Sequence, residues 1–220
     1  MNNQRLEKKW QKKWEEAKLF ESEPRDNQEK YFVNCPYPYM NGYLHLGHAF
    51  TYLRADMVSR YKRMKNKNVL FPFAFHCTGT PIVAAAQRVK EGEKSQINAL
   101  KQMGLSDTLI KKFSKPEEWT KHFPDKAIQD LKNFGTSIDW RRSFITTSLN
   151  PPYDKFIRWQ FNKLLDGKYL IKGSFPVVWC PKRETVVGDH DRLSGEGETP
   201  QEYTLLKFAG EDHLLVAATL

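Results

Sequence analysis

Cysteine is scarce in this 220-residue chain: Cys35, Cys77 and Cys180 are odd in number and far apart, which argues against a disulfide framework and fits a reducing compartment. Long apolar runs are missing too. None reaches the ~20 residues that a membrane-spanning helix needs. The N-terminal MNNQRLEKKWQKKWEEAKLF has neither a signal-peptide core nor the acid-poor composition of a transit peptide. A cytoplasmic location with no membrane partner is the expectation. No Walker A glycine loop occurs, and no G-x-G-x-x-G follows a strand, which sets P-loop hydrolysis and dinucleotide binding aside. Repeats and low-complexity tracts are also absent. Acids are outnumbered, 26 against 35 Lys plus Arg, and the net charge of +9 points to a polyanionic partner, nucleic acid first, with a solvated Lys-rich surface as the plain alternative. What is present, 40% hydrophobic residues and 13% aromatics, suffices for one substantial core or two small ones.

Along the chain, Leu6, Trp10, Trp14 and Ala17 recur at helical spacing and predict an opening amphipathic helix packed through its tryptophans. Lys30 to Cys35 is a short apolar segment stopped by Pro36, as expected of a buried parallel strand. A turn then leads into a long helix on which Leu46, Ala49, Phe50, Leu53, Met57, Tyr61 and Met64 trace one face, and the strand VLFPFAF follows. Strand, helix and strand in this span form a βαβ unit of a doubly wound parallel sheet, whose ligands bind at the C-terminal ends of the strands. From Pro81 to Phe134 several short helices are expected, broken at Gly92, Gly104, Pro116 and Pro124. Ile138 to Thr147 reads as extended, and Pro151 to Leu165 as helical. Beyond Lys168, LIKGSFPVVWC, YTLLKF and HLLVAAT are strand-like, predicting the start of a β-rich module. The expected division is 1–190 for the α/β domain with its helical insertion and 191–220 for the connection into that module.

The chemistry concentrates at the first strand-to-helix junction, His45-Leu46-Gly47-His48. A helix N-terminus offers unpaired N–H groups and partial positive charge to an anion such as a triphosphate. Gly47 leaves room for a flat purine, and the two imidazoles supply directional donors to phosphate oxygens. Taken as a bare tetrapeptide, His-x-x-His reads equally as a metal half-site or a pair of structural histidines.

The longer run PYPYMNGYLHLGH, followed by a helix that contains Asp56 and ends in SRYKR, resembles the first active-site signature of class I aminoacyl-tRNA synthetases. FPFAFHCTGTPI, SIDWRRSFITT, NPPYDKFIRWQF, GDHDRLSGEGETPQEYTLLKF and LLVAATL, in that order, look like the leucyl-tRNA synthetases of the eukaryotic cytosolic type. The resemblance covers nearly the whole chain. It implies the N-terminal half of a Rossmann-like catalytic fold with the start of an inserted, β-rich editing domain. It implies ATP with Mg²⁺, leucine and tRNA(Leu) as ligands, with leucyl-adenylate formed first and the leucyl group then passed to the 3′ adenosine. On matching positions it assigns Pro38, His45, Leu46, Gly47 and His48 to ATP, with His45 and His48 catalytic. Tyr37, Tyr39, Asn41, Phe75 and His76 go to leucine, and Thr219 to the opening of the editing motif. A buried histidine satisfied by the backbone is an equal account of His76.

Departures matter as well. Relatives often carry a Cys-x-x-Cys zinc hook near WCPKRE, but here Arg183 follows Cys180 three residues later, so no zinc is expected. The Lys-Met-Ser-Lys-Ser-like loop that holds pyrophosphate in the family is absent, which implies an incomplete site, inactive alone, with a missing C-terminal half or a multi-synthetase assembly as possible partners. A non-catalytic tRNA- or nucleotide-binding module is the alternative from another class. Isoleucyl, valyl and methionyl enzymes rank below leucyl.

Overall fold

The computed structural model describes residues 3–174, 176–181 and 184–187, together with the strands 204–209 and 214–219. They fall into two compact units, Met1–Gly173 and Ser174–Leu220.

In the first unit β1 (Lys30–Phe32) pairs in parallel with β2 (Asn68–Leu70), and α2 (Leu46–Met64) connects them. The βαβ unit read from sequence is present. β3 (Ala74–Phe75) continues the line of β2 and pairs in parallel with β4 (Phe144–Ile145). Alternate carbonyls of this line face opposite neighbours: Leu70 O accepts from Val33 N–H and Phe71 O from Asp139 N–H, both at 2.9 Å. Further on, Thr146 N–H donates to Phe75 O, Met40 N–H donates to His76 O, and Pro38 O accepts from His76 N–H. Residues 68–77 are therefore the middle line of a parallel sheet flanked by 30–40 and 139–146. The side-chain period of two puts Val69, Phe71, Phe73, Phe75 and Cys77 on one buried face. Each of the three phenylalanines contributes roughly 1.5–3 kcal/mol by that burial.

α2 departs from the expectation drawn from its hydrophobic pattern. Its buried residues are Tyr52, Asp56 and Ser59, while Leu46, Phe50, Met57, Tyr61 and Met64 are exposed. The inner face is held by hydrogen bonds instead. The Asp56 carboxylate accepts from Ser137 N–H (2.5 Å) and from Arg60 Nε (2.7 Å), and Arg63 donates to the Ser137 hydroxyl (2.6 Å) and carbonyl (3.0 Å). Burial lowers the Arg63 guanidinium to about 10, against the pull of Asp56.

α1 (Asn3–Glu16) also packs less than expected. It has no buried residue. Trp14 alone of its two tryptophans reaches the body, lying against Gly135 and edge-on to Phe20 at 5.7 Å. The insertion forms four helices, α3 (Thr80–Lys90), α4 (Lys94–Gln102), α5 (Asp107–Lys112) and α6 (Pro116–Asn133). Gly92 and Gly104 break them at positive φ. Pro116 starts α6, but Pro124 lies inside it rather than ending it. Burial of Trp119, Phe123, Ala127 and Leu131 along that helix outweighs the roughly 3 kcal/mol that an internal proline costs. The stretch expected to be extended from Ile138 is interrupted by a 3₁₀ turn at Trp140–Arg142 before β4. α7 (Pro151–Asp166) follows, with no buried residue.

The second unit contains two antiparallel pairs, β5 (Trp179–Cys180) with β6 (Thr185–Val186) and β7 (Thr204–Ala209) with β8 (Leu214–Thr219). Thr219 is the register partner of Thr204 in the last pair. Arg183 and the run 188–203, which holds most of the GDHDRLSGEGETPQE segment, lie outside the described residues. Among the described residues no helix is long and apolar enough to cross a membrane.

Candidate active site

β1 ends, the Pro-rich turn passes over the C-terminal end of β3, and α2 begins with His45 as its N-cap in extended geometry. His45 Nδ1 accepts Gly47 N–H (3.1 Å), and His48 Nδ1 accepts His45 N–H (3.2 Å). This is a reciprocal capping box built from two imidazoles. It corrects the sequence expectation in one respect, because the amides of His45 and Gly47 are engaged by the chain's own rings. The compensation is directional. A neutral imidazole that accepts at Nδ1 carries its proton at Nε2, so both rings present an Nε2–H donor. The rings lie 4.0 Å apart. Burial, then His45, lowers the His48 pKa and favours the neutral donor form.

Gly47 has a structural reason of its own. A Cβ there would stand 2.9 Å from His45 Cε1, so the space beside the glycine belongs to the capping ring. Leu46 points into solvent. Behind the pair, Tyr52 stacks on His48 at 5.9 Å and meets Phe73 edge-on at 4.9 Å. Tyr37 packs edge-on to the same Phe73 and to Phe144, and burial raises its pKa. Periodicity did not single out Tyr52, although its i+4 spacing from His48 was the available signal.

The residues assigned to leucine divide into surface and support. Tyr39 is partly exposed and lies over the His76 ring at 4.1 Å, with its hydroxyl near Gly79. Pro38 is buried, and Asn41 is exposed. His76 Nδ1 is enclosed and makes no close hydrogen bond among the described residues; burial lowers the ring's pKa, while the backbone of Thr78 and of His76 itself pulls it back up, so the backbone-satisfied account stands beside the site reading. Phe75 is in the core, 5.4 Å from Phe73, and can back a pocket but not line its surface. Tyr43, next in the same loop, is braced by Phe123 at 5.3 Å and by His122, tying the helical insertion to the turn. Cys180 is partly buried at the end of β5.

Residues 9–203 match the family model of the tRNA synthetases class I (I, L, M and V). The chain is 50% identical over 214 residues to the leucine–tRNA ligase of Aeropyrum pernix, covering 97% of this chain and 22% of that enzyme. It is 44% identical over 220 residues to the leucine–tRNA ligase of Methanococcoides burtonii, of which it covers 23%. The chain thus spans about a fifth of the length of these relatives. A solved LeuRS, agnB2 of Agrobacterium radiobacter K84 in a ternary complex with tRNA and LeuAMS, shares the fold over 85% of this chain and 21% of its own, with TM-score 0.64 and 23% identity. The parallel sheet described above is accordingly the N-terminal half of a Rossmann-like nucleotide-binding fold. With the motif at the end of β1 and the match across most of its length in agreement, this chain belongs to the class I tRNA synthetases of the I, L, M and V group.

Proposed function

We propose that the chain supplies the first half of the active site of a cytoplasmic leucine–tRNA ligase, where leucine and ATP form leucyl-adenylate and the leucyl group passes to the 3′ adenosine of tRNA(Leu). The observation that carries this reading is the mutual capping of His45 and His48, which leaves two oriented Nε2–H donors at the C-terminal end of a parallel strand. As the leucine carboxylate attacks the α-phosphorus and pyrophosphate leaves, negative charge builds on phosphoryl oxygens. Donors already held in place stabilise that charge without reorganising. Mg²⁺ would arrive on the triphosphate: among the described residues no three His, Cys, Asp or Glu side chains converge on one point. Tyr39 and His76, whose rings lie 4.1 Å apart, form the leucine end of the pocket in this reading.

A pocket distinguishes aliphatic side chains differing by a methylene by only about 1–3 kcal/mol, so a proofreading site is needed. β7 and β8 begin it in this reading, with Thr219 at its opening. The likeness to a LeuRS solved with tRNA and LeuAMS supports tRNA and a leucyl-adenylate-like ligand here. The non-catalytic alternative is not favoured, since the relatives matched across this chain are ligases. The remaining polypeptide of such an enzyme would cover the exposed apolar row of α2 and complete the site. Leucine-dependent ATP–pyrophosphate exchange by the chain joined to that remainder tests the proposal. No exchange with leucine, or faster exchange with isoleucine, valine or methionine, defeats it.

A further inference from the structure

The outer face of α1 is arranged against its own stability. α1 meets the body on one side, where Gln11 Nε2 donates to Asn133 O (2.8 Å), Glu15 pairs with Lys132 (3.2 Å) and Trp14 lies against Gly135. At 3.6 residues per turn the opposite side carries Arg5, Lys9, Lys12, Lys13 and Glu16, all exposed. Glu16, the one acid of that group, is 3.7 Å from Lys12. Arg5 with Lys9, Lys9 with Lys13 and Lys8 with Lys12 are like charges four residues apart, a spacing that destabilises a helix. A face meant only for water gains from alternating signs at this spacing. A polyanion laid along it relieves the repulsions of Arg5 with Lys9 and of Lys9 with Lys13.

Two further features say what kind of polyanion. Trp10 is 45% exposed, and the Lys13 ammonium lies 4.9 Å from its ring centre. A cation beside an exposed aromatic ring is how unpaired nucleic acid is held, phosphate on the charge and base on the ring. Leu6, Trp10 and Trp14 also line a cleft of about 1020 Å³ that His45, Leu46 and Ala49 line as well. Among the described residues the cleft itself is lined by Glu7, Asp56 and Asp130 with Arg60 as its one Lys or Arg, and Arg60 is engaged by Asp56, so the free cations lie on the outer ridge.

We propose that the Arg5–Lys9–Lys12–Lys13 ridge of α1, with Trp10 at its edge, is an RNA-binding surface that lays the tRNA backbone beside the cleft leading to His45. The choice of tRNA as the polyanion rests on the ligase reading; the ridge itself does not.

The test is binding of a tRNA(Leu) transcript to the full chain between 50 and 200 mM salt. An Arg5→Gln, Lys9→Gln, Lys12→Gln, Lys13→Gln variant is compared with one that loses as many charges elsewhere, at Lys90, Lys94, Lys111 and Lys112. The slope of log K against log salt should fall by about 3 to 3.5 in the first variant, at roughly 0.7–0.9 for each of four phosphate contacts, with affinity lower by about ten-fold or more. The second variant should change little. Ultraviolet cross-links from tRNA in the unaltered chain should fall at residues 5–13, a readout that does not depend on any variant folding. Equal losses in the two variants, or cross-links lying wholly elsewhere, overturn the proposal. An equal loss of poly-glutamate binding assigns the ridge to acidic proteins and overturns it too. Binding of a leucyl-adenylate analogue, followed in the same preparations, reports on the ligase reading separately.

Discussion

Replacing Gly47 with alanine separates the anion site from the stability of the helix that carries it. The new Cβ would stand 2.9 Å from Cε1 and 3.1 Å from Nδ1 of His45, inside normal contact. The imidazole is an exposed side chain and is the part able to move. Its displacement breaks the bond from Gly47 N–H to Nδ1, the loss of an N-cap worth about 1 kcal/mol. Alanine regains roughly 0.5–1 kcal/mol over glycine within a helix. The two nearly cancel, so the thermal midpoint should move by no more than about 2 °C in a chain of this size. Nucleotide binding has no such offset. A donor to a charged group is worth about 1.5–3 kcal/mol, so affinity for ATP or a leucyl-adenylate analogue should fall roughly 10- to 100-fold. Circular-dichroism melting and ligand titration on the same preparation measure both. An unchanged affinity would refute the claim that the capped ring is the donor; a midpoint lowered by more than about 5 °C would show that the cap outweighs the alanine gain.

Four other outcomes are expected. His48→Ala in the completed enzyme should slow adenylate formation roughly 10²–10³-fold with little effect on leucine binding, and unchanged pyrophosphate exchange removes His48 from the mechanism. Burial lowers the pKa values of His48, His76 and His122. The unfolded chain therefore takes up protons first, so stability is fully present above about pH 6.5 and is lost as pH falls from there through the folded values. Urea midpoints should show that decline, and a His48→Gln, His122→Gln variant should flatten it; an identical slope in the two rules these groups out. Burial pushes the Asp139 carboxyl up, but hydrogen bonds from Arg141 and from Ser22 N–H outweigh it and hold the pKa below the usual carboxylate range. Asp139→Asn should accordingly cost about 2 kcal/mol in urea unfolding, the half-exposed Arg141 discounting the charge contribution, and a cost near zero contradicts the network. Cys180→Ser should leave the midpoint unchanged, and protein purified without chelator should carry no stoichiometric zinc by elemental analysis.

The site was more legible than the packing around it. His45, Gly47 and His48 stand where a strand ends and a helix starts, and that position follows from local pattern: KYFVNC, the proline-rich turn, then a 3.6-residue period. The reciprocal cap was not legible, because it depends on which way two rings turn once their amides are placed. The alternation in VLFPFAFHC announced a strand with one buried face, and Val69, Phe71, Phe73, Phe75 and Cys77 form that face. The same alternation also counts against Phe75 as a surface of the leucine pocket, a consequence that motif resemblance overrode. Pro124 read as a break and is not one; its cost is met by tertiary burial, which no local signal reports.

The apolar row on α2 had a legible period whose meaning was hidden. By the usual rule such a stripe faces the core, yet Tyr52, Asp56 and Ser59 do so, and Leu46 to Met64 face away. A helix between two packed bodies needs two inner faces. On one, Asp56, Arg60 and Arg63 grip the polypeptide at 135–137, which fixes the helix axially and rotationally where an apolar face would let it slide. The other, among the described residues, leaves Leu46, Phe50, Met57, Tyr61 and Met64 exposed. β1 has the same requirement. Parallel sheets are covered on both faces, but among the described residues β1 is paired only with β2, and Phe32 is 62% exposed. The crevice at the C-terminal end of a strand so placed is where a doubly wound sheet reverses its strand order and binds its ligand. The exposed row and the capped histidines are therefore parts of one arrangement. In the enzyme proposed above, the row would seat the second half of the sheet, and that seating would close the crevice over His45 and His48.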